Sequence, residues 1–384
     1  MLPQSTVSRS WFPKPRARFR RAIITLFTVG LCYYLFEIGP FGHGLWGQDD
    51  AWQVGFPRRN QKRVSLSLPE AEELCGAHNF TVFPATDQTR KVYDLFLLGT
   101  ELDWLEIRLN ELHNEVDYFV IVESTRTFTN NPKPLYLKEN FKRFSQFSPQ
   151  IIYHALDVEM TDSSTWDREH FQRDSLLDAV FPNLIGPQAP SLGDVILVSD
   201  VDEIPRPSTV ELLRNCEFPE RMTLRSRFFY YSFQWQHVGG DWWHPQATFY
   251  KGEETVKPED LRMGGCDRDL ENSSWHCSSC FSTVAEMANK IASFSHTEYN
   301  EDRFREPSEI VRRVRNGLDL FDRESETYER VDSRSDIPKY LKDNPEQFSF
   351  MIDRDPPNAN FRDYGGKGIQ VDQYPSFRQA MIAT

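Results

Sequence analysis

Three carboxylates lie within four positions directly after an apolar run. The run is Val195 to Val198, and the acids are Asp200, Asp202 and Glu203. A short apolar, β-branched run is typical of a buried strand, and open α/β sheets bind ligands at the carboxyl ends of such strands. Hard cations such as Mg²⁺ and Mn²⁺ prefer carboxylate oxygens and keep positions open for substrate phosphates. The pattern predicts a cation site that holds a diphosphate; the alternative is a solvated acidic turn.

The elements that must position these acids alternate between strand and helix. Strands are predicted at residues 93–99, 117–122 and 194–199, with helices at 102–112 and 166–181 between them. This order predicts an α/β domain with a mostly parallel central sheet. The sequence contains neither GxGxxG nor GxxxxGK[ST], so neither a dinucleotide-binding fold nor a P-loop is supported.

The amino-terminal segment predicts membrane attachment. Residues 1–21 are basic, and the apolar residues 22–38 follow without a small-x-small cleavage site. This pattern favours a signal anchor with a cytoplasmic tail, although a cleaved signal peptide is the alternative. Residues 39–65 then predict a flexible stem, and residues 66–384 a luminal domain. The net charge of −13 argues against nucleic acid as a partner.

Cysteines and sequons fit a luminal location. Five cysteines follow the apolar segment, so one must stay unpaired within the chain. Cys277 and Cys280 favour a loop disulfide over half of a zinc site, because no second CxxC lies at finger spacing. Asn79 and Asn272 begin N-glycosylation sequons.

Tryptophans in polar surroundings are candidates for binding a sugar. Trp235, Trp243 and Trp275 follow the acidic turn, in segments rich in Gly and polar residues. An aromatic face beside polar groups suits the C–H faces and hydroxyls of a sugar ring. The alternative is that these side chains belong to the core.

Several segments together resemble glycosyltransferase family 17. They span most of the region from Asp94 to Phe361 and are DLFLLGTELDWLEIRLNEL (94–112), VDYFVIVEST (116–125), KPLYLKEN (133–140), FQRD (171–174), VSDVDEIP (198–205), FYYSFQW (229–235), WHCSSCF (275–281) and SFSHTEYN (293–300). The resemblance implies a GT-A-like nucleotide-sugar fold in a single-pass type II Golgi membrane protein. It also implies UDP-GlcNAc as donor, a glycoprotein N-glycan as acceptor, inversion at the anomeric carbon, and a divalent cation, Mn²⁺ with Mg²⁺ as the alternative.

The resemblance also implies roles for individual residues. Asp200 and Asp202 match the metal and diphosphate ligands, Glu203 orders them, and His296 matches a third metal ligand. The nucleotide-sugar is implied to lie against Glu101, Glu123, Gln172, Arg173 and Asp174.

An inverting transferase needs a general base to deprotonate the acceptor hydroxyl. Glu298 is the first candidate, before Asp241 and Asp267. Two other functions remain open. One is a haloacid-dehalogenase-type phosphohydrolase with an Asp nucleophile, although Glu203-Ile204-Pro205 lacks the Thr such enzymes need. The other is a non-catalytic luminal glycan-binding protein.

Overall fold

The computed structural model describes residues 66–84 and 89–365. The helices are α1 Leu68–Ala77, α2 Leu102–Leu112, α3 Tyr136–Asn140, α4 Thr165–Asp178, α5 Pro207–Asn215, α6 Pro258–Met263, α7 Val284–Ser293, α8 Asp302–Arg305, α9 Pro307–Asn316, α10 Lys339–Asp343 and α11 Ser349–Ile352. The strands are β1 Val92–Leu97, β2 Tyr118–Ser124, β3 Ile151–Leu156, β4 Val195–Asp200, β5 Glu203–Pro205, β6 Met222–Tyr230, β7 Ser232–His237, β8 Gln246–Phe249, β9 Arg268–Ser278 and β10 Tyr328–Arg330.

Four strands form a parallel half-sheet in the order β3-β2-β1-β4. Because the chain runs from β1 to β2 on one side and β4 pairs with β1 on the other, the strand order reverses between β1 and β4. Leu97 lies opposite Asp200 at this point. The crevice beyond the carboxyl ends of these two strands is therefore the expected place for a ligand.

The other half of the sheet is mostly antiparallel. Strand β8 pairs antiparallel with β4, and β6, β7 and β10 continue outward, while β9 pairs parallel with β6 and antiparallel with β5. A tight turn joins β6 to β7 at Tyr231, which has a φ of 66°. Since such a turn can only join antiparallel strands, the prediction of a mostly parallel sheet is wrong for this half, and the sheet is mixed.

Both faces of the parallel half are buried. Phe96, Ile121 and Leu197 point to one face and pack with helix α2, whereas Leu95 and Ile196 point to the other, where α4 packs. This explains why these strands read as continuous apolar runs rather than alternating ones. Helix α4 begins at a capping box in which Ser164 and Asp167 exchange hydrogen bonds.

Two disulfides are present in the described part of the chain. Cys75 pairs with Cys216 and so ties α1 to the end of α5, and Cys277 pairs with Cys280. Cys266 is unpaired and exposed. The prediction of a CxxC disulfide with one unpaired cysteine is therefore confirmed for the cysteines beyond residue 65.

The predicted tail, anchor and stem, residues 1–65, lie outside the described residues. Among the residues that are described, no helix has both the length and the apolar character needed to cross a bilayer.

Candidate active site

The acidic turn lies between β4 and β5, at the carboxyl end of a strand that has neighbours on both sides. Asp200 ends β4 and Glu203 begins β5. Glu203 is fully buried; its Oε2 accepts a hydrogen bond from the backbone nitrogen of Asp200 at 2.9 Å, and its Oε1 accepts one from Trp242 Nε1 at 2.8 Å. Glu203 therefore fixes the conformation of the turn from inside.

Arg262 of helix α6 binds the turn from one side. Its Nη1 donates to Glu203 Oε2 at 2.7 Å, and its Nη2 donates to Glu203 Oε1 and Asp200 Oδ2, both at 3.2 Å. Burial raises the pKa of Glu203, but the Arg262 guanidinium outweighs burial and holds that pKa well below its usual range. Glu203 is thus ionised at neutral pH.

Arg108 of helix α2 binds the backbone of the acidic turn. It is fully buried and pairs with Asp94 of β1 at 2.6 Å. Its Nη1 donates to the carbonyl oxygens of Asp200 at 3.1 Å and Glu203 at 2.7 Å, and its Nη2 donates to Ser199 Oγ at 2.5 Å. One side chain therefore connects β1, α2 and both ends of the acidic turn.

The two aspartates of the turn have different surroundings. The Asp200 side chain is 44% exposed, with Arg173 Nη2 3.7 Å from its Oδ1. Asp202 is buried, and its Oδ2 lies 3.7 Å from Lys290 Nζ and 3.8 Å from His276 Nε2. Burial raises the pKa of Asp202 to about 7 against the lowering charge of Lys290. Burial lowers the pKa of His276 to about 4, so its imidazole is neutral at neutral pH.

The predicted residues of helix α4 connect the turn to helix α6. Arg173 donates to Glu259 Oε2 and Glu169 Oε1, each at 2.5 Å. Asp174 accepts a hydrogen bond from the backbone nitrogen of Glu259 at 2.9 Å, within the first turn of α6. Gln172 is half-buried on the same helix. Two of the three thus help to position Arg262.

Glu101 and Glu123 lie at the carboxyl ends of β1 and β2, as predicted. Glu101 is partly exposed and accepts hydrogen bonds from the backbone nitrogens of Gly99 and Thr100 at 3.1 and 2.7 Å. Glu123 is fully buried, 3.7 Å from Lys133 Nζ, and accepts a 2.9 Å hydrogen bond from the Tyr153 hydroxyl. Because it is enclosed in this way, Glu123 presents no oxygen to a nucleotide in this structure.

His296 and Glu298 lie on an exposed segment and pair with each other at 2.8 Å. Across residues 66–84 and 89–365, no group of three or more His, Cys, Asp and Glu side chains is arranged to hold a metal ion. The structure therefore does not bring His296 to Asp200 and Asp202. Of the other candidate bases, Asp241 is partly buried, and Asp267 is exposed and accepts a 3.1 Å hydrogen bond from the backbone nitrogen of Arg221.

The three tryptophans that were predicted to bind the acceptor differ in exposure. Trp235 and Trp275 are only 9% and 6% exposed. Trp275 donates to Asp336 Oδ1 at 3.0 Å, under the guanidinium of Arg206. Neither ring offers a free face to a sugar, so their placement does not support acceptor binding. Trp243 is 53% exposed and stacks with Arg225 at 3.7 Å.

The family model of glycosyltransferase family 17 matches residues 18–355 of the sequence. The chain belongs to glycosyltransferase family 17. The predicted family and enzyme class are confirmed, and the phosphohydrolase alternative is set aside.

Relatives of this family 17 chain include the β-1,4-mannosyl-glycoprotein 4-β-N-acetylglucosaminyltransferases of Rattus norvegicus and Homo sapiens. Each is 24% identical over 300 residues, which cover 69% of this chain and 55% of the relative. The chain thus spans about half the length of the curated relatives it matches. A mannosyltransferase from Pyrobaculum calidifontis, solved with GDP-Man and Mn²⁺, aligns over 58% of this chain and 72% of its own at 11% identity. Its TM-score of 0.29 is too low to bear on the fold or the site.

The residues that sequence reasoning missed in this family 17 site come from distant segments. Arg262, Lys290, His276 and Trp242 meet at the turn only because α6, α7, β9 and the loop before β8 meet there. For Arg108, by contrast, the sequence does contain a signal. It lies in the apolar helical stripe of Leu105, Leu109 and Leu112, where a charged side chain needs a buried partner.

Proposed function

We propose that this chain transfers N-acetylglucosamine from UDP-GlcNAc to a mannose residue of N-linked glycans on glycoproteins, with inversion at the anomeric carbon. The family and the names of the relatives support the sugar and the acceptor class. The observation that carries the proposal is the position of Asp200 and Asp202. They leave the sheet beside β1, where the strand order reverses, and Arg108 and Arg262 hold their turn in place.

A divalent cation, Mn²⁺ or Mg²⁺, fits the donor set of this turn. Asp200 and Asp202 offer only carboxylate oxygens, which such ions prefer. Among the described residues, Lys290 Nζ lies 3.7 Å and the neutral His276 Nε2 3.8 Å from Oδ2 of the buried Asp202, which is longer than a direct hydrogen bond. Asp200 and Asp202 would hold the ion without His296, which the structure does not bring to them. When bound, the ion supplies positive charge to the departing diphosphate.

The chain's own residues then orient the reactants. Glu203 and Arg262 keep Asp200 in one conformation, and Arg173 supplies further positive charge 3.7 Å from Asp200 Oδ1. Positive groups fixed before the reaction stabilise developing charge without reorganising. The crevice between the ends of β1 and β4 receives the nucleotide-sugar, with Glu101 at its β1 side.

We propose that the general base is Glu298, Asp241 or Asp267. Hydrogen bonding to His296 holds the pKa of Glu298 below its usual range, which makes it a weaker base. It serves as base only if a bound acceptor separates it from His296.

A GT-A-like fold and a luminal location in the Golgi belong to the same proposal. In it, residues 1–21 form a cytoplasmic tail, 22–38 a membrane anchor, 39–65 a stem and 66–384 the catalytic domain. The two disulfides support an oxidising compartment. Asn79 and Asn272 are exposed, as acceptors of N-glycans must be.

Release of UDP by the purified full-length chain tests the proposal. UDP-GlcNAc, UDP-galactose and UDP-glucose are each supplied with Mn²⁺ or with EDTA, and with or without a mannose-terminated N-glycan. We expect turnover only with UDP-GlcNAc, Mn²⁺ and the glycan together, and none in Asp202→Ala. Near-full activity in Asp202→Ala would refute the assignment of the turn. Glycan binding that needs neither UDP nor Mn²⁺, without any turnover, would favour the non-catalytic glycan-binding protein.

A further inference from the structure

Lys290 is a cation beside the acidic turn, and its ion pair with Asp202 is long. It lies on helix α7, and its side chain is 28% exposed. Across the ranges that the structure describes, the nearest acidic oxygen to its Nζ is Asp202 Oδ2 at 3.7 Å. By contrast, Arg108, Arg173 and Arg262 each donate to a carboxylate at 2.5 to 2.8 Å. At 3.7 Å the contact with Asp202 is long, so the N–H groups of Lys290 can turn to another acceptor.

The electrostatic surroundings place this ammonium between the ends of β1 and β4. Its Nζ lies 3.7 Å from Asp202 Oδ2, and the negative charge of Glu101 also acts on it. Glu101 follows β1 and Asp202 follows β4. The ammonium therefore lies near the place where the strand order reverses, which is where phosphates of nucleotides bind in open α/β sheets.

Helix α7 holds Lys290 in this position. Thr283 and Glu286 form a capping box at its start, and Asp363 accepts hydrogen bonds from Val284 and Ala285 at 2.8 and 3.0 Å. The aliphatic stem brings Nζ to 5.4 Å from the Phe281 ring. A helix anchored in this way directs the ammonium toward the crevice at little entropic cost on binding.

We infer that Lys290 binds the diphosphate of the nucleotide donor directly. The inference rests on the proposed function and deepens it. If Asp200 and Asp202 hold a cation, Asp202 would attract Lys290 less strongly, and a phosphate oxygen would be the better acceptor for the N–H groups of Lys290. Ammonium–phosphate hydrogen bonds are among the stronger ones. Lys290 is in this way a diphosphate-binding residue contributed by the chain itself, in addition to the metal.

Calorimetric titration of UDP into the purified full-length chain tests this, in EDTA and in Mn²⁺. We expect Lys290→Met to bind UDP about tenfold more weakly than the wild type in Mn²⁺, the loss of one charged hydrogen bond. In EDTA we expect a smaller loss, because Asp202 still attracts Lys290 there. Binding of uridine, followed by ligand-observed NMR, should not change, because uridine has no phosphate. Lys290→Arg should recover part of the affinity for UDP.

Lys257→Met is the matched control, because Lys257 is half-exposed and pairs with Asp178 on the surface. Its affinity for UDP should equal that of the wild type. Equal UDP affinity in Lys290→Met and the wild type would overturn the inference and leave the proposed function standing. Failure of the wild type to bind UDP in either solution would overturn both. If Lys290→Met does not fold by circular dichroism, Lys290→Gln takes its place, with the same expected results.

Discussion

Arg108 and Asp94 form a fully buried ion pair, with 2.6 Å between Nη2 and Oδ1, beneath the turn that carries Asp200 and Asp202. The pair is not an isolated contact, because Arg108 also donates to two carbonyl oxygens of that turn. The same guanidinium thus satisfies a buried acid of the core and sets the backbone of the site.

Replacing Arg108 should cost both stability and turnover. Arg108→Met leaves Asp94 buried without its partner, and we expect the free energy of unfolding to fall by about 3 to 5 kcal/mol. Urea denaturation followed by circular dichroism measures the change. In the double variant Arg108→Met/Asp94→Leu we expect stability to recover in part and turnover to stay low, because the carbonyls of the turn still lack their donor.

Arg143→Met is the control for this series. Arg143 also pairs with two acids of α2, Asp103 and Glu106, but its side chain is 36% exposed. We expect its loss to cost less than about 1 kcal/mol. Equal costs for the two arginines would contradict the role given to burial.

Variants of the adjacent Trp242 and Trp243 should distinguish a residue that positions the acidic turn from one that contacts the acceptor. Trp242→Phe removes the hydrogen bond to Glu203 Oε1 while keeping a ring against Phe228 and His276. We expect kcat to fall several-fold and stability to fall by about 1 kcal/mol. Trp243→Ala should instead raise the KM for the glycan and leave unfolding unchanged, because its ring is mostly exposed. The prediction fails if Trp242→Phe changes only the KM for the glycan.

The contribution of Asp336 to the free energy of unfolding should depend on pH. Burial raises the pKa of Asp336, but hydrogen bonds from Arg206, Arg227 and the Trp275 indole outweigh burial and hold it well below its usual range. A carboxyl group with a lowered pKa stabilises the fold above its unfolded pKa of about 3.9, and this contribution is lost as pH falls toward the folded pKa. We expect Asp336→Asn to lower the free energy of unfolding by about 2 kcal/mol at pH 7. The difference from the wild type should shrink steadily below about pH 4. Urea titrations at several pH values measure it, and a constant difference between pH 7 and pH 2.5 would contradict it.

The bridge between Cys75 and Cys216 should contribute strongly to stability, because it closes a loop with a sequence separation of 141. We expect the double variant Cys75→Ser/Cys216→Ser to lose about 3 to 5 kcal/mol. Thermal unfolding without reductant measures the loss. Cys266→Ser is the matched control, since Cys266 is exposed and unpaired; a similar loss in the control would show that the bridge is not the cause.

The sequence predicts the parallel half of the fold because each of its elements has a local pattern. The runs at 93–99, 117–122 and 194–199 appear as β1, β2 and β4, and the helical stripe from Leu102 to Leu112 appears as α2. The antiparallel half depends on which strands pair and in which direction, as β8 pairs antiparallel with β4. No local period encodes such partners, so the mixed character of the sheet could not be predicted.

The residues of the candidate site also fall into two groups, those with a local sequence signal and those that come from distant segments. Asp200 and Asp202 could be found because acids after an apolar run are a local signal, whereas Arg262 and Lys290 reach them from 62 and 88 residues away in the chain. Exposure of the tryptophans also could not be predicted, because neighbouring side chains of one segment can point in opposite directions. Trp243 is exposed and Trp242 bonds to Glu203, although both have the same composition around them.

The unpaired Cys266 gives the enzyme a convenient attachment point for a reporter. Of the cysteines in residues 66–84 and 89–365, it alone carries a free, exposed thiol, and the other four are closed in disulfides. It follows Arg262 by four residues, just beyond the helix that holds the acidic turn. A thiol-reactive fluorophore placed there would lie beside α6, so a change in its emission on addition of donor and cation would report loading of the site in real time, without a coupled assay.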